Sequence, residues 1–354
     1  MSVTLFDAVH TRLRHVIPRF GLSYQADLIL NMYALVCGDA LAIPAGAQRP
    51  EHCRLNRDGA AIQFSLALAR RREPALQFLG EAAPPTANNQ QRYVSAIHVL
   101  RKAAELLGVH IDVSRLCTLL AAVGPPLDQI TPEDGPGVFW IGASFPPAAR
   151  PALTVYINAR PGSLDERWRR IERFATHLAG PPCSHIRACL SDCMTPLGMA
   201  ITLTGNKPPA GRMYFGAYGL PFDYYRNVLA ETGGRVMTSL FDSYTAAVLG
   251  DELAYPSRAA VCSFEFDSDS GVNAKFELCS HCAYRSDAEA CARFLEWIEA
   301  QSLDREPYLD LVKAFGGCTT GQTPELHAYA GIGVRHGEPY STFYLNPAPG
   351  LSRA

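Results

Sequence analysis

Tyr156, Arg212, Tyr214, Lys275, Glu277 and Tyr344 all fall in short strand-like stretches where they alternate with apolar neighbours. In Ala152–Asn158, Thr154 and Tyr156 share one face while Val155 and Ile157 share the other. Arg212 and Tyr214 oppose Met213 and Phe215, and Lys275 and Glu277 oppose Phe276 and Leu278. Tyr340, Thr342 and Tyr344 repeat the pattern. Side chains alternate faces along a strand, so these polar and aromatic groups converge if the strands line one interior. Such an interior supports two kinds of chemistry. Guanidinium, ammonium and phenol groups hold a phosphate or carboxylate, and tyrosine faces stabilise a carbocation while keeping water away. The competing reading is an open sheet whose polar face meets solvent.

The thiols point to less. Cys279 and Cys282 bracket His281 in a CxxC, but no second pair stands at zinc-ribbon distance. Cys183, His185, Cys189 and Cys193 gather in another segment, again without the paired spacing of a structural metal site. No metal is therefore expected. The 11 cysteines, an odd number, read as free thiols in a reducing compartment.

The elements that must position the alternating residues recur as hairpins joined by helices. Phe6–Val36 reads as two helices broken near Pro18 and Gly21, packed outside the remainder. Strands are expected over Ala61–Ala69 and Ala75–Glu81, followed by a helix from about Gln90 to Leu107. Val138–Ala143 and Ala152–Asn158 form the next pair, then a helix over Asp165–Leu178. Met199–Thr204 pairs with Arg212–Ala217, and a helix spans Phe222–Glu231. Val261–Phe266 pairs with Lys275–Cys279, a helix covers Asp287–Ile298, and Leu326–Val334 pairs with Tyr340–Leu345. The sum is about ten antiparallel strands in about five hairpins, which excludes single parallel strands alternating with helices. A sheet so wide curls, and closing it removes its edges. We therefore expect an α+β fold: one domain over residues 1–354, a closed antiparallel barrel wrapped in helices. An open sheet split over two domains is the alternative.

Composition agrees with a folded chain and argues against disorder. Hydrophobic residues make up 48% and charged residues 19%, enough for a sizeable core. A net charge of −2 gives no footprint for nucleic acid or an anionic membrane. The N-terminus has no apolar signal core, and no run has the length of a membrane span, so a cytoplasmic location is expected.

Several of these stretches together resemble the aromatic prenyltransferases of the ABBA barrel type, in particular the bacterial dimethylallyltryptophan synthase-like group. The similar segments are Asp58–Ser65, Leu153–Asn158, Arg212–Phe215, Leu326–Gly331 and Tyr340–Pro347. The resemblance implies metal-independent transfer of a prenyl group from an allylic diphosphate to an indole or other aromatic small molecule, in specialised metabolism. It implies no cofactor beyond that co-substrate. It assigns Tyr156, Tyr214, Tyr329 and Tyr344 to a shield around the cation and Gln63 to the acceptor. Gln77, Thr154 and Arg212 fall at donor-site positions.

The departures are specific. Members usually carry Glu where Gln63 stands, Arg at Gln77, Lys at Thr154, and Arg and Lys near Ala210 and Arg212. A neutral amide hydrogen-bonds an acceptor but is no general base. A diphosphate carries two to three negative charges, and buried charge without partners is disfavoured. Strand parity offers Lys275 as a second cation. The alternative is an enzyme on the same barrel that has lost diphosphate binding and cyclises, rearranges or otherwise processes an aromatic intermediate, with Glu277, His327 and Cys279 as candidates. A binding protein without turnover is the third reading.

Overall fold

The structure is a computed structural model that describes residues 3–348 except 54, 110–111, 131–136, 179, 181–182, 191–193, 206, 218–220, 251–259, 268–270, 319, 322 and 336. Ten strands form one closed antiparallel barrel. They are β1 (Ile62–Ala69), β2 (Arg72–Gly80), β3 (Phe139–Phe145), β4 (Ala152–Asn158), β5 (Thr195–Leu203), β6 (Ala210–Ala217), β7 (Ala260–Asp267), β8 (Gly271–Cys279), β9 (His327–Arg335) and β10 (Glu338–Leu345). Each strand pairs with its chain neighbour, and β1 pairs with β10 to close the ring.

The segment before β1 braces the seam where the barrel closes. Asp58 accepts from the Ala60 backbone N–H at 2.9 Å and from Asn346 Nδ2 at 3.1 Å, tying the entry of β1 to the exit of β10. Gly59 sits between at φ +83°, where a Cβ would fall 1.6 Å from the Arg49 carbonyl oxygen. Only glycine fits that approach.

Helices cover the outside: α1 (Leu5–Val16), α2 (Ala26–Cys37), α3 (Asn89–Leu107), α4 (Val113–Val123), α5 (Leu164–His177), α6 (Cys183–Cys189), α7 (Phe222–Leu249), α8 (Ser280–Ala283), α9 (Asp287–Ala300) and α10 (Glu306–Ala314). Their local signals are clear where the sequence supplies caps. Ser163 and Glu166 close a capping box on α5, and Asn88 and Gln91 do so on α3. α3 ends at Gly108 in the left-handed conformation. The buried stripe of α5 is Trp168, Ile171, Phe174 and Ala175, and Trp168 stacks on Phe215 of β6.

The hydrophobic core lies between barrel wall and helices, not inside the barrel. Phe276 of β8 meets Tyr225, Phe241 and Tyr244 of α7 with ring centroids 5.0–6.4 Å apart. Phe343 of β10 packs on Phe294 of α9 and Tyr308 of α10. The apolar parity of every strand thus faces outward, and the polar parity is left to the lumen.

Several boundaries differ from expectation. The helix after β6 runs to Leu249, far beyond Glu231. α4 and α10 fall where no element was expected, and β5 begins at Thr195 rather than Met199. Of the Cys183, His185, Cys189 and Cys193 grouping, the chain is helical over Cys183–Cys189, while the four side chains lie outside what is described.

Candidate active site in the barrel lumen

Pairing register determines which side chains meet inside. One ring runs Tyr344, Ser65, Gln77 and Ser144 from β10 through β1 and β2 to β3. Another runs Trp140, Tyr156, Ala200, Arg212, Glu265 and Asn273 from β3 to β8. Tyr214 lies opposite Ser263, Ser263 opposite Lys275, and Lys275 opposite Gly333, which faces Tyr340. Of the residues expected to form the site, all but His327 share this inward parity: Gln63, Gln77, Thr154, Tyr156, Arg212, Tyr214, Lys275, Glu277, Cys279, Tyr329 and Tyr344.

His327 is the exception and corrects the expectation. The β9–β10 register shifts so that Tyr344 faces Tyr329 while Leu345 faces His327, leaving Ala328 as an extra residue. That bulge turns His327 to the outer side of the wall. There its Nδ1 lies 2.9 Å from Asp287 Oδ1 and its Nε2 lies 2.8 Å from the Tyr308 hydroxyl. The Asp287 carboxylate also accepts from the backbone N–H groups of Glu325, Leu326 and His327. Burial opposes its ionisation, but these donors outweigh it and hold its carboxyl below the usual range. His327 anchors the start of β9.

Among the described residues, two ionic clusters occupy the lumen. Glu265 accepts from Arg212 and, at 2.7 Å, from Arg335. Burial resists its charge, yet the two guanidinium groups prevail and pull its pKa down to about 2. Lys275 Nζ donates to Glu277 Oε1 and to the Tyr344 hydroxyl, each at 2.6 Å. Burial pushes the Lys275 ammonium down from its ordinary value against the pull of Glu277. Glu277 itself is held below its ordinary range, because Lys275 and the hydrogen bonds around it overcome burial.

Tyrosines flank both clusters. The Tyr156 and Tyr214 rings are 6.3 Å apart, as are those of Tyr329 and Tyr344. Lys275 Nζ lies 4.8 Å from the Tyr344 ring centre, and the Arg335 guanidinium 5.4 Å from that of Tyr340. Burial pushes every one of these phenol hydroxyls upward, so they remain protonated donors at neutral pH. Gly333 makes room for Tyr340, since a Cβ there would stand 2.7 Å from the ring.

The neutral positions are also engaged. Ser65 Oγ donates to Gln77 Oε1 at 3.2 Å, and the Thr154 and Thr202 hydroxyls lie 3.2 Å apart. Gln63 Nε2 donates to the Leu55 carbonyl at 3.2 Å and to Asn56 Oδ1 at 3.4 Å. Its amide is thus oriented by the segment that caps this end of the barrel.

Sequence reasoning missed Glu265, Arg335 and Trp140 as site residues. Tyr340 was already marked by the parity of its strand, whereas Glu265 lies opposite Arg212 on a strand whose alternation was not read. Its position between two strand-like runs puts Arg335 in the last turn, yet it continues the inward parity of Tyr329, Gly331 and Gly333. Glu81, one residue beyond β2, is fully buried beside Trp140 and 3.4 Å from Arg92. Burial raises its pKa to about 7 in spite of Arg92 and Trp140.

This barrel is the fold of the aromatic prenyltransferases. The chain is similar to 5-dimethylallyltryptophan synthase from Streptomyces coelicolor, at a TM-score of 0.84 and 18% identity over 100% of both chains. It superposes equally on 6-dimethylallyltryptophan synthase from Micromonospora olivasterospora in complex with DMASPP and Trp, at 0.84, 15% identity and 98% of each chain. AnaPT from Neosartorya fischeri follows at 0.74 and 12% identity, over 97% of this chain and 93% of that one. No family model matches the chain, and no curated protein does.

Proposed function

We propose that the chain is an aromatic prenyltransferase that works inside its barrel without a metal in the transfer step. The carrying observation is the joint placement of Arg212, Lys275 and Arg335 among the inward tyrosines. In this reading the cations hold the diphosphate of an allylic donor while its C–O bond breaks. Tyr156, Tyr214, Tyr329 and Tyr344 present their faces to the carbocation and exclude water. An indole or other electron-rich ring, oriented by Gln63, attacks the cation carbon. Rearomatisation then releases a proton to the departing diphosphate, because the neutral Gln63 amide is no base. Gln77 and Thr154 contribute hydrogen bonds where more charge would be useful. The likeness to dimethylallyltryptophan synthases supports this class of chemistry, and the cytoplasm is the compartment proposed.

The test is incubation with dimethylallyl diphosphate and a panel of indoles, read by mass spectrometry for a prenyl adduct. Absence of any adduct, together with no diphosphate binding at millimolar concentration, rejects the reading. One observation favours the alternative, an enzyme that processes an aromatic intermediate without diphosphate. Each of the three cations already faces a carboxylate, Glu265 or Glu277, which leaves one net positive charge among these five groups.

A further inference from the structure

At the end of β8 the chain runs Cys279, Ser280, His281, Cys282 as the strand passes into the single turn of α8. Ligand atoms of Cys279, His281 and Cys282 all lie within 4.8 Å of one another. Cys279 Sγ is 3.1 Å from His281 Nδ1 and 3.5 Å from Nε2. A tetrahedral zinc with bonds of about 2.3 Å to sulfur and about 2.0 Å to nitrogen needs its ligand atoms about 3.5–3.8 Å apart, so small rotamer changes suffice. The three residues come from one four-residue segment, and a strand end followed by one helical turn is enough to hold them together.

We infer that Cys279, His281 and Cys282 form a binding site for one zinc ion at the rim of the lumen. Two thiolates and an imidazole are a donor set suited to zinc, and harder ions such as magnesium or calcium prefer oxygen. Among the described residues no further Cys, His, Asp or Glu joins the cluster, which matches the three-ligand pattern of open zinc centres. Cys279 is buried on the inward parity opposite Tyr329, whereas His281 is exposed and gives the ion a route in. The fourth position would take an oxygen or sulfur donor from a small molecule at this end of the barrel. Binding converts both thiols to thiolates and releases their protons. The two thiolates cancel the charge of the ion, so the centre polarises a bound donor without adding an anion-attracting field.

The experiment uses the full chain, reduced and stripped with a chelator under argon, then titrated with Zn²⁺ and in parallel with Co²⁺. One ion per chain is expected, and the cobalt form should show thiolate-to-metal charge-transfer absorption. His281→Ala and Cys282→Ser should each weaken binding at least tenfold, while Cys318→Ser, at an exposed thiol elsewhere, leaves it unchanged. Because His281 is exposed, its variant should melt like the metal-free parent, which separates lost binding from lost folding. No uptake, uptake indifferent to both variants, or a Cys279–Cys282 disulfide in chain isolated without oxidant overturns the site. The readout is metal binding alone, so it stands or falls independently of prenyl transfer.

Discussion

The two lumen carboxylates matter most at the residue scale because they occupy the cations a diphosphate would need. Removing one charge of such a pair leaves the other group available and still hydrogen-bonded if the replacement is an isosteric amide. Glu277→Gln should therefore tighten diphosphate binding, by about tenfold if one cation is released for it. Arg212→Gln should weaken it by a similar factor; isothermal titration with inorganic diphosphate measures both. Glu265 adds a pH dependence with a definite sign. Its folded pKa of about 2 lies below the ordinary 4.5, so its stabilisation is complete above about pH 4.5 and is lost as pH falls toward 2. Thermal melts from pH 6 to pH 2.5 should show a shallower acid limb in Glu265→Gln than in the parent. An equally steep limb would mean that Arg212 and Arg335 do not govern that carboxyl.

At the scale of elements, the barrel wall was legible and some of its joints were not. Alternation of Val155 and Ile157 with Thr154 and Tyr156 announces a strand with one apolar face, and the same reading served β6, β8 and β10. It failed at His327, because parity counts residues and a bulge adds one that no composition signal marks. It also cut β5 short, where Pro196 removes a donor and the register slips between Pro196 and Gly198. α4 carries a buried stripe of Leu116, Leu119, Leu120 and Val123 at helical spacing that went unread between two loops, and Pro307 near the start of α10 reads as a break although it fits a first helical turn. Two variants check the packing argument. Phe276→Ala, which empties the contact between β8 and α7, should cost about 3–5 kcal/mol in chemical denaturation. Asp287→Ala, which strips three backbone donors and His327 of their acceptor, should cost about 3 kcal/mol or more. A loss under about 1 kcal/mol for Asp287→Ala would show that the start of β9 does not depend on it.

For the whole molecule, the sequence announces the container more firmly than its contents. Hairpin repetition and edge avoidance require closure, whereas the lumen's electrostatic balance depends on which inward residues pair across strands far apart in sequence. Arg335 and Glu265 meet across 70 residues, and neither position alone announces the other. The prenyl-transfer reading and its alternative differ in a quantity that the folded chain itself reports. A ligand that binds only the native state raises stability by RT ln(1 + [L]/Kd), about 2.7 kcal/mol at a hundredfold excess over Kd. Dimethylallyl diphosphate at millimolar concentration should therefore raise the melting temperature by several degrees if the barrel holds it with a Kd near ten micromolar. The rise should be larger in Glu277→Gln and smaller in Arg212→Gln. An unmoved melting temperature in the parent and in Glu277→Gln alike would mean that three cations among two carboxylates do not bind a diphosphate. The barrel would then act on a substrate that brings less charge.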